Sequence, residues 1–305
     1  MRRRTFLAAA TYAPALFAKR RFEYSRISVL TDEVANSPSE AFAFAKQYGL
    51  RWVELRAVPG ARKSYWNLPE GELRSFAAEL KEHGLKVSFL NTGLLKFTLP
   101  GTQPVRRRNE TEEQRKRREA AEAAQFERRL EDVRTACKAA RILGTDKVRI
   151  FAFVRTADPR SLYPRIAEII TEMAREAEKE KITLLLENEG SCNVATSAES
   201  AEILRMLPKS VGLNWDPHNG FAHNEVPFPD GYRLLPKDRL GNVQIKAKSL
   251  LPEYNQLIDW KGIFDALAAD GYRGKVGLET HIFDGTLIEA AHKCMRELQR
   301  ILQVS

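Results

Sequence analysis

From Arg26 onward, short apolar or β-branched runs recur about every 30 residues, each followed by a stretch whose apolar positions repeat with helical period. The runs predict eight strands, at 27–31, 52–58, 86–91, 147–154, 182–187, 211–216, 242–246 and 275–280. The intervening periodicity predicts helices at 38–48, 70–83, 112–143, 159–179, 198–207, 261–270 and 286–301. Gly49, Gly84, Gly144 and Gly271 stand just before the next strand, where helix C-caps belong. Strict β-α alternation with eight strands predicts an α/β protein with a single (β/α)8 TIM barrel, because right-handed crossovers put every helix outside the sheet. An open doubly wound sheet would need a Gly-rich turn after the first strand, and Leu30-Thr31-Asp32-Glu33-Val34 has none. No Pro, Gly or Ser linker interrupts the cadence, so residues 26–305 read as one domain.

Two connections depart from this rhythm. Residues 106–134 form a long charged helix after strand 3, with Glu112 to Lys116 and Glu113 to Arg117 at the spacing of an exposed helical face. Residues 218–238 replace a helix by a long loop after strand 6, rich in proline, of the kind that shapes a ligand site.

Composition adds little until it is divided. The 305 residues carry 49 Lys and Arg against 40 Asp and Glu, a formal charge of +9. Six of those cations and no acid fall in the first 21 residues, leaving +3 for the rest, too little to argue for nucleic acid. Arg2-Arg3-Arg4 followed by an uncharged run to Ala18 has the layout of a secretory signal, too short to span a bilayer. Arg3-Arg4-Thr5-Phe6-Leu7 resembles a twin-arginine signal, so residues 1–25 are expected to be a leader. The protein is then exported to the periplasm, or cytoplasmic if the leader does not function. Cys137, Cys192 and Cys294 are too scattered for a metal motif or a disulfide framework and read as buried thiols.

Chemistry in a barrel gathers where strands end. Leu184-Leu185-Leu186-Glu187 runs straight into a carboxylate, and Leu213-Asn214-Trp215-Asp216-Pro217 into another. In Val243-Gln244-Ile245-Lys246 the two polar residues share a face, and in Gly277-Leu278-Glu279-Thr280-His281 Glu279 and His281 lie opposite Leu278. Taken singly, such residues cap helices or pair with neighbours. Together, three converging carboxylates and an amide need a cation. The all-oxygen set Glu187, Asp216, Gln244 and Glu279 suits one divalent ion such as Mn²⁺, Mg²⁺ or Co²⁺.

With those motifs the chain resembles the xylose isomerase-like barrel family of sugar phosphate isomerases and epimerases. The resemblance covers about residues 26–302 and includes Pro229-Asp230-Gly231-Tyr232 and Val53-Glu54-Leu55-Arg56. It implies an isomerase or epimerase in which Glu187 and Glu279 flank a sugar or keto-polyol and exchange its proton through a metal-stabilised enediolate. His218 and Lys246 would then hold a substrate hydroxyl or protonate a leaving group. Arg56 and Arg155 would bind an anionic substrate or make structural ion pairs, and Trp52, Trp66 and Phe153 would line the pocket or pack the core. Where many members carry a seventh-strand His this chain has Gln244, and the Asp that often follows the Lys is Ala247. Those changes look more like dehydratase members such as 3-dehydroshikimate or inosose dehydratase, so a hydro-lyase is the alternative. A non-catalytic sugar-binding barrel and an endonuclease IV-like repair enzyme rank lower, the latter because it needs a histidine-rich cluster and the chain has five His. The expected partner is a small-molecule sugar or polyol, with no nucleic acid or stable membrane insertion. A homo-oligomer remains open.

Overall fold

All eight apolar runs form parallel strands, and the computed structural model, which describes residues 21–105 and 109–304, closes them into one barrel. In chain order they are β1 (Ile27–Leu30), β2 (Trp52–Leu55), β3 (Lys86–Leu94), β4 (Lys147–Ile150), β5 (Thr183–Glu187), β6 (Val211–Trp215), β7 (Leu240–Ile245) and β8 (Lys275–Leu278). The ring shuts where Val29 of β1 pairs with Leu278 of β8. The fold is therefore a single (β/α)8 TIM barrel.

The helices are α1 (Pro38–Gln47), α2 (Glu70–Glu82), α3 (Glu112–Glu127), α4 (Arg129–Leu143), α5 (Tyr163–Lys179), α6 (Ser197–Leu204), the short α7 (Tyr232–Leu234) and α8 (Ala247–Leu250), α9 (Trp260–Ala269) and α10 (Leu287–Ile301). Their ends follow local chemistry. Thr196 and Glu199 form a reciprocal capping box at the start of α6, and Gly144 ends α4 in the left-handed conformation at φ 80°.

The single helix expected over 112–143 is two. The chain turns at Arg128 because only its second half has an apolar face: α4 buries Val133, Ala136, Cys137 and Ala140, whereas α3 buries nothing. The expected Glu112–Lys116 and Glu113–Arg117 pairs do form along exposed α3. The loop over 218–238 is a series of short turns, among them Asn219–His223 and Pro227–Gly231, followed by α7. Tyr232 of α7 stacks on the buried Trp215 ring, 5.4 Å between centroids.

Alternation along each strand separates two interiors. Outward residues such as Val29, Val53, Val148, Ile150, Leu184, Leu186, Val243 and Leu278 join the apolar layer under the helices. Ser28, Glu54, Asn91, Arg149, Glu187, Asn214, Asn242 and Gln244 are also buried, and they hydrogen-bond to one another in a polar column inside the barrel. Among the described residues Phe22 is already buried, against Phe264, slightly ahead of the expected leader boundary at 25. The twin-arginine-like stretch itself lies outside the described residues. Among the described residues no helix is long and apolar enough to cross a membrane. The three cysteines are free and buried, and burial pushes each thiol up to about 12.

Candidate metal centre at the barrel mouth

Glu187 is the last residue of β5, Asp216 follows β6 and Glu279 follows β8, so strand ends alone bring the three together. Each offers an oxygen within 4.8 Å of the others, and all three residues are buried.

Their partners differ. Glu187 Oε2 accepts from Arg149 Nη1 at 3.0 Å and from Asn214 Nδ2 at 2.5 Å. Burial pushes the Glu187 carboxyl up; Arg149 opposes that, and the Glu279 and Asp216 charges reinforce it. Asp216 Oδ1 accepts the backbone N–H groups of His218 and Asn219, which leaves Oδ2 facing Lys246 Nζ at 2.9 Å, off the hydrogen-bond axis. Burial raises the Asp216 carboxyl as well, against the pull of Lys246. Glu279 Oε1 accepts from Arg56 Nη1 at 2.9 Å, and its Oε2 has no hydrogen-bond partner, with Lys246 Nζ 3.9 Å away. Burial works against ionising Glu279, but Lys246 and Arg56 hold its carboxyl at about 2. Burial likewise opposes the charge on Lys246, and Asp216 with Glu279 outweighs it, so the ammonium stays charged.

Gln244 lies level with Asp216, since Trp215 pairs with Val243. Its Nε2 donates to Glu54 Oε2 at 2.7 Å, and its Oε1 is buried without a partner. Of the four expected ligands, Gln244 and Glu279 hold a buried oxygen without a hydrogen-bond partner, Oε1 and Oε2, and Asp216 Oδ2 meets only the Lys246 ammonium. Buried acceptors left unmatched cost about 1–3 kcal/mol each. An all-oxygen donor set of this kind fits a hard divalent cation. The repulsion expected among the carboxylates is already reduced by three protein cations, Arg56, Arg149 and Lys246, so a metal is not the sole counter-charge.

The other expected residues divide. Lys246 stands inside the cluster, also donating to Asn219 Oδ1 at 2.7 Å. His218 is at the rim, its Nε2 2.9 Å from Gln256 Oε1, with burial holding its ring pKa down. Arg56 spreads its guanidinium over Asp32, Glu33 and Glu279, which makes it an ion-pair hub at the mouth. Arg155 is drawn elsewhere: it forks onto Glu199 at 2.8 and 3.1 Å and reaches the carbonyl of Cys192. Its long side chain binds the capping carboxylate of α6 instead of joining the cluster. Trp52 starts β2 at the opposite end of the barrel and Phe153 is packed in the apolar core, so neither lines the mouth. Trp66 packs against that core from its edge.

Sequence reasoning missed Arg149 and the Asp32–Glu33 pair, and it quoted Glu54 without giving it a role. The signal was the same alternation: Lys147-Val148-Arg149-Ile150 and Trp52-Val53-Glu54-Leu55 each turn a charge toward the barrel interior. His281 adds a second possible group with Glu33 and Glu279, its Nδ1 3.8 Å from Glu33 Oε1. The remaining histidines serve elsewhere. His83 stacks on Phe42, His292 meets the Tyr48 hydroxyl, and His223 bonds the Gly190 carbonyl.

Comparison with known proteins agrees with this architecture. The model of the xylose isomerase-like TIM barrel family matches residues 42–298, and the chain belongs to that family. Among solved structures, L-ribulose 3-epimerase is 19% identical, with a TM-score of 0.65 over 92% of this chain and 94% of that one. The IolI protein with a bound zinc atom is 15% identical, with a TM-score of 0.66 over 91% and 98%. A xylose isomerase-like barrel from Mycobacterium smegmatis in complex with magnesium is 15% identical, with a TM-score of 0.64 over 92% and 98%. No curated protein matches the sequence significantly.

Proposed function

We propose that the chain is a divalent-metal-dependent isomerase or epimerase acting on a sugar or keto-polyol by proton transfer at the carbon beside a carbonyl. The observation that carries this reading is the group of three buried carboxylates at the strand ends, with unpartnered buried oxygens on Glu279 and Gln244. Glu187, Asp216, Gln244 and Glu279 would hold the cation, Mn²⁺, Mg²⁺ or Co²⁺ by hardness. The family relationship and the epimerase structures support the substrate class.

A cation held there would polarise the adjacent carbonyl and hydroxyl oxygens and so acidify the C–H between them. The protein supplies the proton carriers. Glu187 and Glu279, from strand ends separated around the mouth, flank the substrate, one taking the proton and the other returning it, with Lys246 and Arg56 keeping Glu279 ionised. Lys246 contributes a fixed positive charge beside the developing oxyanion. His218 at the rim is placed to hold a substrate hydroxyl.

Gln244 in place of a seventh-strand imidazole supports a second reading, elimination. The same proton abstraction would be followed by loss of a β-hydroxyl, with His218 as its proton donor. Incubation of the Mn²⁺-supplemented protein with keto-sugars and cyclic keto-polyols in D₂O, read by NMR, tests both. Deuterium beside the carbonyl without loss of water supports epimerisation, and a new alkene or enone signal supports dehydration. Absence of exchange from every substrate would sink the proton-transfer reading.

Export by a twin-arginine route is part of the same proposal, supported by Arg3-Arg4 and the uncharged run after them. A reporter fused behind residues 1–25 is expected in the periplasm, and Arg3→Lys with Arg4→Lys should retain it inside the cell. Retention of both forms would remove the signal reading.

A further inference from the structure

We propose that Glu54, deep inside the barrel, is a positioning residue that turns the Gln244 amide so that it meets a cation with oxygen. The inference rests on the metal reading above and gives a role to a buried carboxylate which that reading does not use.

Glu54 is completely buried, and every one of its hydrogen-bond partners is a neutral donor. Its Oε1 accepts from the Ser28 hydroxyl at 3.1 Å and Asn242 Nδ2 at 3.1 Å. Its Oε2 accepts from Asn91 Nδ2 at 3.0 Å and Gln244 Nε2 at 2.7 Å. Strand β8, on the far side of β1, makes room for it: a Cβ on Gly277 would lie 2.0 Å from Glu54 Oε1. Burial pushes the Glu54 carboxyl up and the four donors oppose that; with both oxygens accepting two bonds each, what Gln244 offers is its nitrogen. The amide oxygen is thereby turned away from Glu54, and it is this Oε1 that is buried without a partner beside Asp216.

The direction is fixed from the other side too. Asn214 donates to Glu187 Oε2 and accepts from Asn242 at 3.0 Å, and the same Asn242 nitrogen reaches Glu54. Carboxylates at both ends therefore orient the amides between them. Without Glu54, Gln244 would be free to turn its NH₂ toward the carboxylate at its own level, Asp216. The flipped amide would satisfy the site by itself and present a donor where a cation needs an acceptor. Glu54 blocks that flip and keeps the fourth ligand a hard oxygen.

The test is Mn²⁺ titration of the purified protein by calorimetry, with the Mn²⁺ EPR spectrum as a second readout, on four forms: the parent, Glu54→Gln, Gln244→Leu, and the double variant. Glu54→Gln keeps the shape but offers one donor and one acceptor, so the Gln244 amide is released. About 10–100-fold weaker Mn²⁺ binding and an altered EPR spectrum are expected. In the Gln244→Leu background the same change should have no further effect, because Glu54 acts through Gln244. Equal weakening in both backgrounds, or unchanged binding in Glu54→Gln, overturns the inference while leaving the metal reading standing. A parent protein that takes up no Mn²⁺ overturns both. Should Glu54→Gln fail to fold, the side-chain amide signal of Gln244 in the parent decides: its protons should be protected from exchange with and without Mg²⁺, and rapid exchange would overturn the proposal.

Discussion

The two ends of the barrel hold their charges differently. On β8 the inward positions run Lys275, Gly277, Glu279, and in the second strand unit they run Trp52, Glu54, Arg56. At the mouth, buried carboxylates are matched by Arg56, Arg149 and Lys246. At the floor, a cavity of about 640 Å³ is lined by Trp52, Lys147, Lys181, Arg273 and Lys275. Lys275 Nζ sits 4.2 Å from the Trp52 ring centre and Lys86 Nζ 5.7 Å, and among the described residues neither pairs with a carboxylate. Helices that return antiparallel to the strands bring their C-terminal ends to the floor, where their partial negative charge favours cations. The contrast teaches that the mouth holds its charges in buried ion pairs, whereas the floor mixes exposed pairs such as Lys147–Asp146 with lysines that rest on the Trp52 ring. It also gives the barrel a field that favours a cation at the mouth.

The largest break in this contrast comes from removing the mouth's charge. Glu187→Gln combined with Glu279→Gln should lower deuterium exchange into substrate by about 10²–10⁴-fold and abolish metal uptake, read by NMR and metal analysis. Undiminished metal content would reassign the ligands.

Next is the cost of breaking a pair. Arg149→Met leaves Glu187 buried without its cation and should destabilise the fold by about 3–5 kcal/mol in urea unfolding. The floor counterpart, Lys275→Met, should stay within about 0.5 kcal/mol of the parent. Equal losses at the two ends would erase the distinction.

Smaller again is the effect of salt. Screening the floor lysines should raise the melting temperature of the parent more than that of a Lys86→Met and Lys275→Met double variant.

The smallest effect is one of pH. Burial lowers the Lys275 pKa below its ordinary 10.5, and Arg26, Lys147 and Lys86 lower it further. Between that lowered value and 10.5 the unfolded chain binds more protons at this site than the folded one, so stability gains from Lys275 as pH rises through the window. Melting curves of the parent minus Lys275→Met should show that rise, and a difference that falls with pH would contradict it.

The barrel was legible because apolar runs recur eight times, four of them after a glycine helix stop, and the meeting of Glu187, Asp216 and Glu279 because each carboxylate ends an apolar run. Glu54 and Arg149 were harder to read. Inside a strand a charge looks like a solvent-facing position, and only ring closure shows that the polar side of these strands is enclosed. For Arg155 the structural ion pair holds and the substrate contact does not, but its partner was not legible, because Glu199 is 44 residues away and reads locally as a helix cap. The single helix over 112–143 failed for a related reason: charge pairing supports a helix throughout, but the apolar face on which the chain turns belongs to α4 alone.

Gly277 constrains the order in which this site can change over generations. A methyl group there would collide with a carboxylate pinned by four hydrogen bonds, so Gly277→Ala is closed to the chain while Glu54 is present. A lineage must shorten the side chain at position 54 before position 277 is free to vary. An inconspicuous glycine two residues before a carboxylate ligand thereby ties the history of β8 to that of β2.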